Sequence, residues 1–443
     1  MSPLLTQMLL SLWIQLLLFF KKVEAQGCSK SNPCAIGCCS KFGFCGLGAD
    51  FCCSKFGFCG TTDEFCGDNK VQRPSYEVNG QGFERVVGYY ESWSPNRPCN
   101  QFYPEQIPKF IYTHLNFAFA TIDPISFEVK LAAPNDEDLV RRLTNLKKAD
   151  PGLSVFVALG GWTFNDPGPT ASTFGDIARS EKNTKKFTSS LISFMSTYNF
   201  DGVDLDWEYA EADDRSGKSD DYANLSILLE RVKRALKATG GRDGLSITLP
   251  ASYLYLQHFD LQNIQDTVDF FNIMWVGPYL NPHTNLTEIE GGLDLLWRNG
   301  VKEDKVILGV AFYGRSFTVS DPGCTDPGCE YASGGNKQSC SHETSVVLNS
   351  EIIDIQKRTG AKSVLLKDAA VKKMVYDTNQ WVTYDDEDTF KLRADYARSL
   401  SLGGLMVWAV SHDTQDATFN IAFAKAANRY YQAIPLTAIR NTA

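Results

Sequence analysis

Phe200-Asp201-Gly202-Val203-Asp204-Leu205-Asp206-Trp207-Glu208-Tyr209 is the stretch whose reading decides the fold. Apolar and acidic residues alternate along it. On a strand, Asp204, Asp206 and Glu208 stand at i, i+2 and i+4 and share one face, while Val203, Leu205 and Trp207 share the other. Neighbouring carboxyls on that face sit about 6–7 Å apart by the strand rise. Three ionised carboxylates at this spacing are costly, so protons must be shared and the pKa values driven apart. Buried acids without basic partners make a poor structural device. A hard divalent cation is the other use such a row could have.

The same alternation of elements continues outward from this strand. Strand-like runs are expected at Val86–Trp93, Tyr112–Ile122, Ser154–Gly160, Gly202–Tyr209, Leu245–Ala251, Val268–Met274, Lys305–Ala311 and Gly404–Ser411. Between them lie helical patterns such as Phe187, Leu191, Phe194, Met195, Tyr198 and Leu225, Leu228, Leu229, Val232, Leu236. Both follow the i, i+3/i+4, i+7 spacing of an amphipathic helix. Eight strand–helix units imply an α/β chain folded as a (β/α)8 TIM barrel over residues 84–435, with Glu208 at its C-terminal mouth. The Gly-bounded run Val155-Phe-Val-Ala-Leu-Gly160 suits a strand buried on both faces. An open doubly wound sheet is the alternative, and no Gly-x-Gly-x-x-Gly supports it. The segment at about 316–384 is too long for a connection and reads as an inserted α+β subdomain raising one wall of a cleft.

The remaining N-terminal part has a different composition. Residues 1–25 carry an apolar run from Leu9 to Phe20, too short to span a bilayer, before Val23-Glu24-Ala25, the pattern of a signal peptide. Nine of the 13 cysteines lie between Cys28 and Cys66, which marks 26–67 as a small disulfide-rich module in an oxidising compartment. Its adjacent Cys-Cys pairs do not match zinc-ligand spacing. An odd total leaves at least one thiol free or paired with another chain. The nine residues Cys38–Gly46 recur identically at Cys52–Gly60. Residues 68–83 are polar and Gly/Pro-punctuated, and read as a linker. With a net charge of −9 and no basic run, the chain offers no nucleic-acid footprint. Asn224-Leu225-Ser226 and Asn285-Leu286-Thr287 are sequons in keeping with export.

Two resemblances follow from these motifs. The repeat, with Thr61-Thr62-Asp63-Glu64-Phe65-Cys66 after it, resembles the sugar-binding stretch of hevein-type chitin-binding modules. That resemblance implies contacts to N-acetylglucosamine from Ser54, Phe56, Phe58 and Phe65, with Ser40, Phe42, Phe44 and Phe51 in the first copy. The alternating Phe-Gly-Phe favours an exposed platform; the other use of these rings is a mini-core. The acidic row is Asp-x-x-Asp-x-Asp-x-Glu, and over residues 84 to about 431 the chain resembles family 18 glycoside hydrolases. This implies a chitinase acting by a substrate-assisted retaining mechanism.

In that scheme Glu208 is the acid and later the base, Asp206 orients the substrate acetamido group, Asp204 shares the proton of Asp206, and Asp201 supports the strand from outside. Tyr89, Trp162, Met274, Tyr313, Arg315 and Trp408 match the family's substrate-binding positions. The expected partner is chitin or its oligomers, bound by a secreted monomer that needs no cofactor or metal and, once mature, no membrane. Two positions depart from the family. Ala158 stands where a serine would help hold Asp204. After Met274 the chain runs into Trp275-Val276-Gly277-Pro278-Tyr279, where the family has Met-Ser-Tyr-Asp, so Arg315 is expected to lose its carboxylate partner. Loss of such an oriented group costs on the order of 10²–10³ in rate. The competing function is therefore a catalytically impaired chitin-binding or toxin-targeting protein. Changing Phe56 and Phe58 together to Ala should weaken retention of the chain on chitin beads by about tenfold; unchanged retention would remove these rings from the sugar-binding surface.

Overall fold

Strands of near-continuous apolar character cannot leave either face in water, and here they close on themselves. The strands are β1 (Arg85–Glu91), β2 (His114–Ile122), β3 (Ser154–Gly160), β4 (Gly202–Asp206), β5 (Gly244–Pro250), β6 (Phe270–Met274), β7 (Val306–Ala311) and β8 (Gly404–Trp408). Each pairs in parallel with the next, and β8 pairs back onto β1 with Val407 opposite Gly88, so the eight strands close, with a short strand Val129–Leu131 added antiparallel to the end of β2. This is an eight-stranded parallel barrel with helices around it. The computed structural model describes residues 71–75, 82–274 and 282–429, with the backbone of Cys38–Cys39 and Cys45–Gly46.

The chain divides into Met1–Gln72 and Arg73–Ala443. In the first unit Cys38–Cys39 pairs antiparallel with Cys45–Gly46. The leader and Ser40, Phe42, Phe44, Phe51, Ser54, Phe56, Phe58 and Phe65 lie outside the described residues. In the second unit Arg73, within the stretch expected to be a linker, makes a two-pronged ion pair with Asp294 at 2.8 Å. That residue lies on the helix Leu286–Arg298.

Two apolar layers result from the alternation along each strand. Val87, Tyr89, Ala118, Phe156, Ala158, Phe270, Ile307 and Met406 fill the barrel interior. Val203, Leu205 and Trp207 belong to the larger layer outside it, with Phe187, Leu191, Leu225, Leu228 and Val232 of the helices Glu181–Tyr198 and Asp221–Lys237. The barrel floor is closed by Phe156, Phe270 and His114, whose rings meet at 5.2–6.2 Å. Burial pushes His114 down to about 4, so the plug is neutral. Gly202 and Gly244 make room for it: a Cβ on Gly202 would lie 2.5 Å from the Phe156 ring, and one on Gly244 would lie 2.2 Å from it.

Between β7 and β8 an antiparallel sheet rises from the barrel. Its order is Tyr331–Gly334, Tyr313–Val319, Gln380–Tyr384, Val371–Tyr376 and Ser363–Leu366, with the helix Asn349–Thr359 packed against it. The insertion thus starts at Tyr313, two residues past β7, rather than near 316. A disulfide joins Cys99, after β1, to Cys340 of the insertion, and a second links Cys324 to Cys329. The fully buried pair Arg393–Asp385, at 3.0 Å, secures the return to the barrel. Most strand ends fall within one or two residues of expectation. β4 is the consequential exception: it stops at Asp206 rather than Tyr209, so Glu208 stands beyond the strand. Among the described residues no helix is long and apolar enough to cross a membrane. Gly202→Ala should lower stability by about 1–3 kcal/mol through overpacking of the floor, read as a drop in the urea midpoint of the barrel; an unchanged midpoint would show that Phe156 is free to move aside.

Candidate active site

The row is built on β4 and completed by its neighbours. Asp204, fully buried, accepts hydrogen bonds from the Tyr89 hydroxyl at 2.5 Å, the Ser246 hydroxyl at 2.5 Å and Asn272 Nδ2 at 3.1 Å. These donors come from β1, β5 and β6, so Asp204 is gripped from both sides of the barrel. The hydroxyl that Ala158 cannot offer has a counterpart in Ser246. Asp206 accepts from the Thr248 hydroxyl, and the Glu208 carboxyl acts on it electrostatically. Glu208 leaves the strand but remains fixed, its backbone N–H donating to Asn165 Oδ1 at 3.2 Å.

Electrostatics separates the three acids. Burial raises Asp204, against the hydrogen bonds from Ser246, Tyr89 and Asn272 that favour its charged form. Asp206 is driven well up by burial, then by the charges of Glu208 and Asp204. Glu208 is pushed up to about 7 by burial, opposed by the Tyr209 hydroxyl and the Arg215 charge. Tyr89, buried beside two acids, is raised far enough to stay a donor. The arrangement holds a shared proton in the row near neutral pH, the state a general acid requires.

Around the row stands an aromatic surface. Trp408 lies 5.2 Å from Tyr89 and 5.7 Å from Phe119 by ring centroids, and Trp93 continues the series 6.3 Å beyond Phe119. Met274 packs against the same interior cluster. Trp162, half exposed, follows the Gly160-Gly161 turn, where a Cβ on Gly160 would lie 2.1 Å from the Asp206 carbonyl. The Arg215 guanidinium lies 3.8 Å over the Trp162 ring. Tyr313 packs between His283 and His412, with the Arg315 guanidinium 5.6 Å over its ring. Among the described residues Arg315 makes no ion pair, and its Nε has no hydrogen-bond partner. Residues 275–281, where the family motif departs, lie outside the described residues.

Asp201 is not brought to the row. It precedes β4 at the opposite end of the barrel, where it accepts from Lys147 Nζ at 2.8 Å and from the Val155 N–H at 2.8 Å. Several site residues escaped the sequence reading. Ser246 and Thr248 were legible in principle, as hydroxyls at i and i+2 in the apolar strand Gly244-Leu-Ser-Ile-Thr-Leu-Pro250. Asn272, Asn165, Phe119, Trp93 and Arg215 carried no comparable local signal. Among the described residues no group of three or more His, Cys, Asp or Glu could hold a metal ion.

Comparison with known proteins places this geometry in context. The family model for glycosyl hydrolases family 18 matches residues 85–413. The chain is 32% identical over 410 residues to secreted chitinase LysM12 of Penicillium expansum, covering 85% of this chain and 27% of that protein. It is also 32% identical over 410 residues to the killer toxin subunits alpha/beta of Kluyveromyces lactis, covering 86% and 33%. The chain thus spans about a third or less of the curated relatives it matches first. A solved Group IV chitinase from Ostrinia furnacalis superposes with a TM-score of 0.71 at 23% identity, covering 78% of this chain and 98% of that one.

The raised acids make stability depend on pH in a stated direction. A carboxyl whose folded pKa lies above its unfolded value stabilises the fold below the unfolded value and loses that contribution as pH rises through the folded one. For Glu208 that window runs from 4.5 to about 7. Above it Glu208→Gln should be more stable than the native chain by up to roughly 3 kcal/mol. Urea midpoints at pH 4.5 and pH 8 read this, and a variant no more stable at pH 8 would remove the raised pKa.

Proposed function

Since the chain belongs to glycosyl hydrolases family 18, we propose that it is a secreted chitinase cleaving β-1,4-linked N-acetylglucosamine polymers with the substrate's own acetamido group as nucleophile. The observation that carries this reading is the buried pair Asp206 and Glu208, two residues apart on one stretch of chain, with burial and then the Glu208 charge driving Asp206 well up. In a retaining site with an enzyme nucleophile the two carboxyls stand about 5–5.5 Å apart across the sugar. Here the second carboxyl belongs to the same row as the acid and is held by Thr248. A carboxyl so held suits a group that orients, which favours a nucleophile supplied by the substrate.

In the proposed reaction Glu208 gives its proton to the glycosidic oxygen and the C1–O bond breaks. The 2-acetamido carbonyl oxygen bonds to C1, forming an oxazolinium ion whose N–H donates to Asp206. Asp204, held by Tyr89, Ser246 and Asn272, takes up the proton that Asp206 gives back. Glu208, now a carboxylate, removes a proton from water as the water oxygen attacks C1 and the ring opens with retention. Trp408 floors the scissile sugar, Phe119 and Trp93 extend that floor, and Trp162 carries the sugar that leaves. Tyr313 and Arg315 face the acetamido region, with Met274 beneath. Export is supported by the apolar leader, by the two disulfides, which belong to an oxidising compartment, and by the relative named as secreted.

The competing reading, an impaired chitin-binding or toxin-targeting protein, draws on Arg315, which lacks an ion pair among the described residues, and on the Met274-Trp275 junction. Release of reducing ends from N-acetylglucosamine oligomers decides between them. Activity that survives chelator, vanishes in Glu208→Gln and yields first the β-anomer by proton NMR is the expected result. Oligomer binding without hydrolysis would establish the impaired protein, and an α-anomer as first product would overturn the acetamido mechanism.

A further inference from the structure

Arg215 follows Glu208 by seven residues, on the loop after β4, and only 5% of it is exposed. Taking a guanidinium out of water is costly, and a single half-exposed carboxylate would repay little of that cost. Asp166 supplies such a carboxylate, accepting from Arg215 Nη1 at 2.7 Å with 44% of its side chain exposed. The other contacts go to the candidate machinery itself. Nε donates to the Glu208 carbonyl at 2.9 Å, Nη2 donates to the Trp162 carbonyl, and the guanidinium plane covers one face of the Trp162 indole at 3.8 Å. One planar side chain thus holds the loop after β3 and the loop after β4 through three different donors. Lysine could replace its charge but not its fork.

We propose that Arg215 is a positioning residue that locks the Trp162 platform to the Glu208 backbone, so that the leaving sugar and the acid that protonates it are held as one unit. This rests on the reading of Glu208 as the acid and Trp162 as the leaving-side platform. Trp162 is half exposed although Arg215 covers one face of its ring, so what remains open to a sugar is a surface fixed from behind. The charge of Arg215 also bears on Glu208, holding it lower than burial alone would. The other titratable groups facing Glu208 are Asp206 from β4, Tyr209 next in the chain, Asp166 from the loop after β3, and Tyr255 after β5, whose hydroxyl donates to Asp214. Tyr313 of the insertion senses it as well. None of these besides Arg215 is a cation.

Arg215→Gln and Arg215→Lys separate the two effects, assayed on a hexamer of N-acetylglucosamine and on an aryl chitobioside, whose leaving group is no sugar. Arg215→Gln should raise KM for the hexamer about tenfold while changing the aryl substrate less than about threefold. It should also move the descending limb of kcat/KM upward by about one pH unit, because an acid with a higher pKa keeps its proton to higher pH. Arg215→Lys should restore the limb and leave the hexamer KM high. Equal losses on both substrates with an unmoved limb would reduce Arg215 to a loop staple and overturn the proposal. If the native chain hydrolyses neither substrate, the chitinase reading falls on its own. The Glu208 carboxyl, assigned through Glu208→Gln, can still be titrated by 13C NMR. An upward shift in Arg215→Gln then supports the link to Glu208, and no shift overturns it.

Discussion

The grip of three neutral donors on Asp204 is the constraint on which the rest of the site depends. A carboxylate with 0% exposure has to be hydrogen-bonded or protonated. Tyr89, Ser246 and Asn272 supply donors from three strands, and none of them carries a charge that would neutralise the row. The site therefore keeps its negative potential and settles it by sharing protons along Asp204, Asp206 and Glu208. Had an arginine filled the same place, all three acids would titrate low and no proton would remain near neutral pH. Glu208, two residues beyond the strand end, is raised chiefly by its own burial in the same uncompensated row.

The barrel explains why these groups meet at all. Tyr89 lies more than 150 residues before Ser246 and Asn272 in sequence, yet each faces inward from a strand whose outer side is fixed by helix packing. Strand alternation leaves them no other direction. The plug of Phe156, Phe270 and His114 seals the far end, and Gly202 and Gly244 admit it. The polar row therefore opens only toward the C-terminal mouth, where the loops after β1, β3 and β4 carry Trp93, Trp162 and Arg215 and the end of β8 carries Trp408. Stability is built at one end of the barrel and chemistry at the other.

The barrel was legible because its signal is periodic: eight buried runs with amphipathic helices between them leave few topologies. The acid row was legible because three carboxyls at i, i+2 and i+4 have few structural uses. Strand alternation, however, extended the row too far. β4 ends at Asp206, and Glu208 is held by Asn165 and Arg215 on loops rather than by a ladder. Loop residues follow no period, and for that reason Arg215, Trp93 and Asn165 could not be found locally. Ser246 and Thr248 did carry a signal, since alternating hydroxyls in an apolar strand point at whatever the barrel encloses. Ala158 lacks the hydroxyl of a serine, but support for Asp204 is not confined to one strand: Ser246 places a hydroxyl on the same carboxylate.

The bridge between Cys99 and Cys340 has a consequence for how the chain is made. Its two sulfurs are 241 residues apart in sequence. At ribosomal rates of roughly 5–20 residues per second, Cys340 emerges roughly 12–50 s after Cys99. All nine cysteines of the N-terminal segment emerge before either. Until Cys340 emerges, Cys99 has no partner for this bridge, so the loop after β1 and the insertion are tied together only late in synthesis.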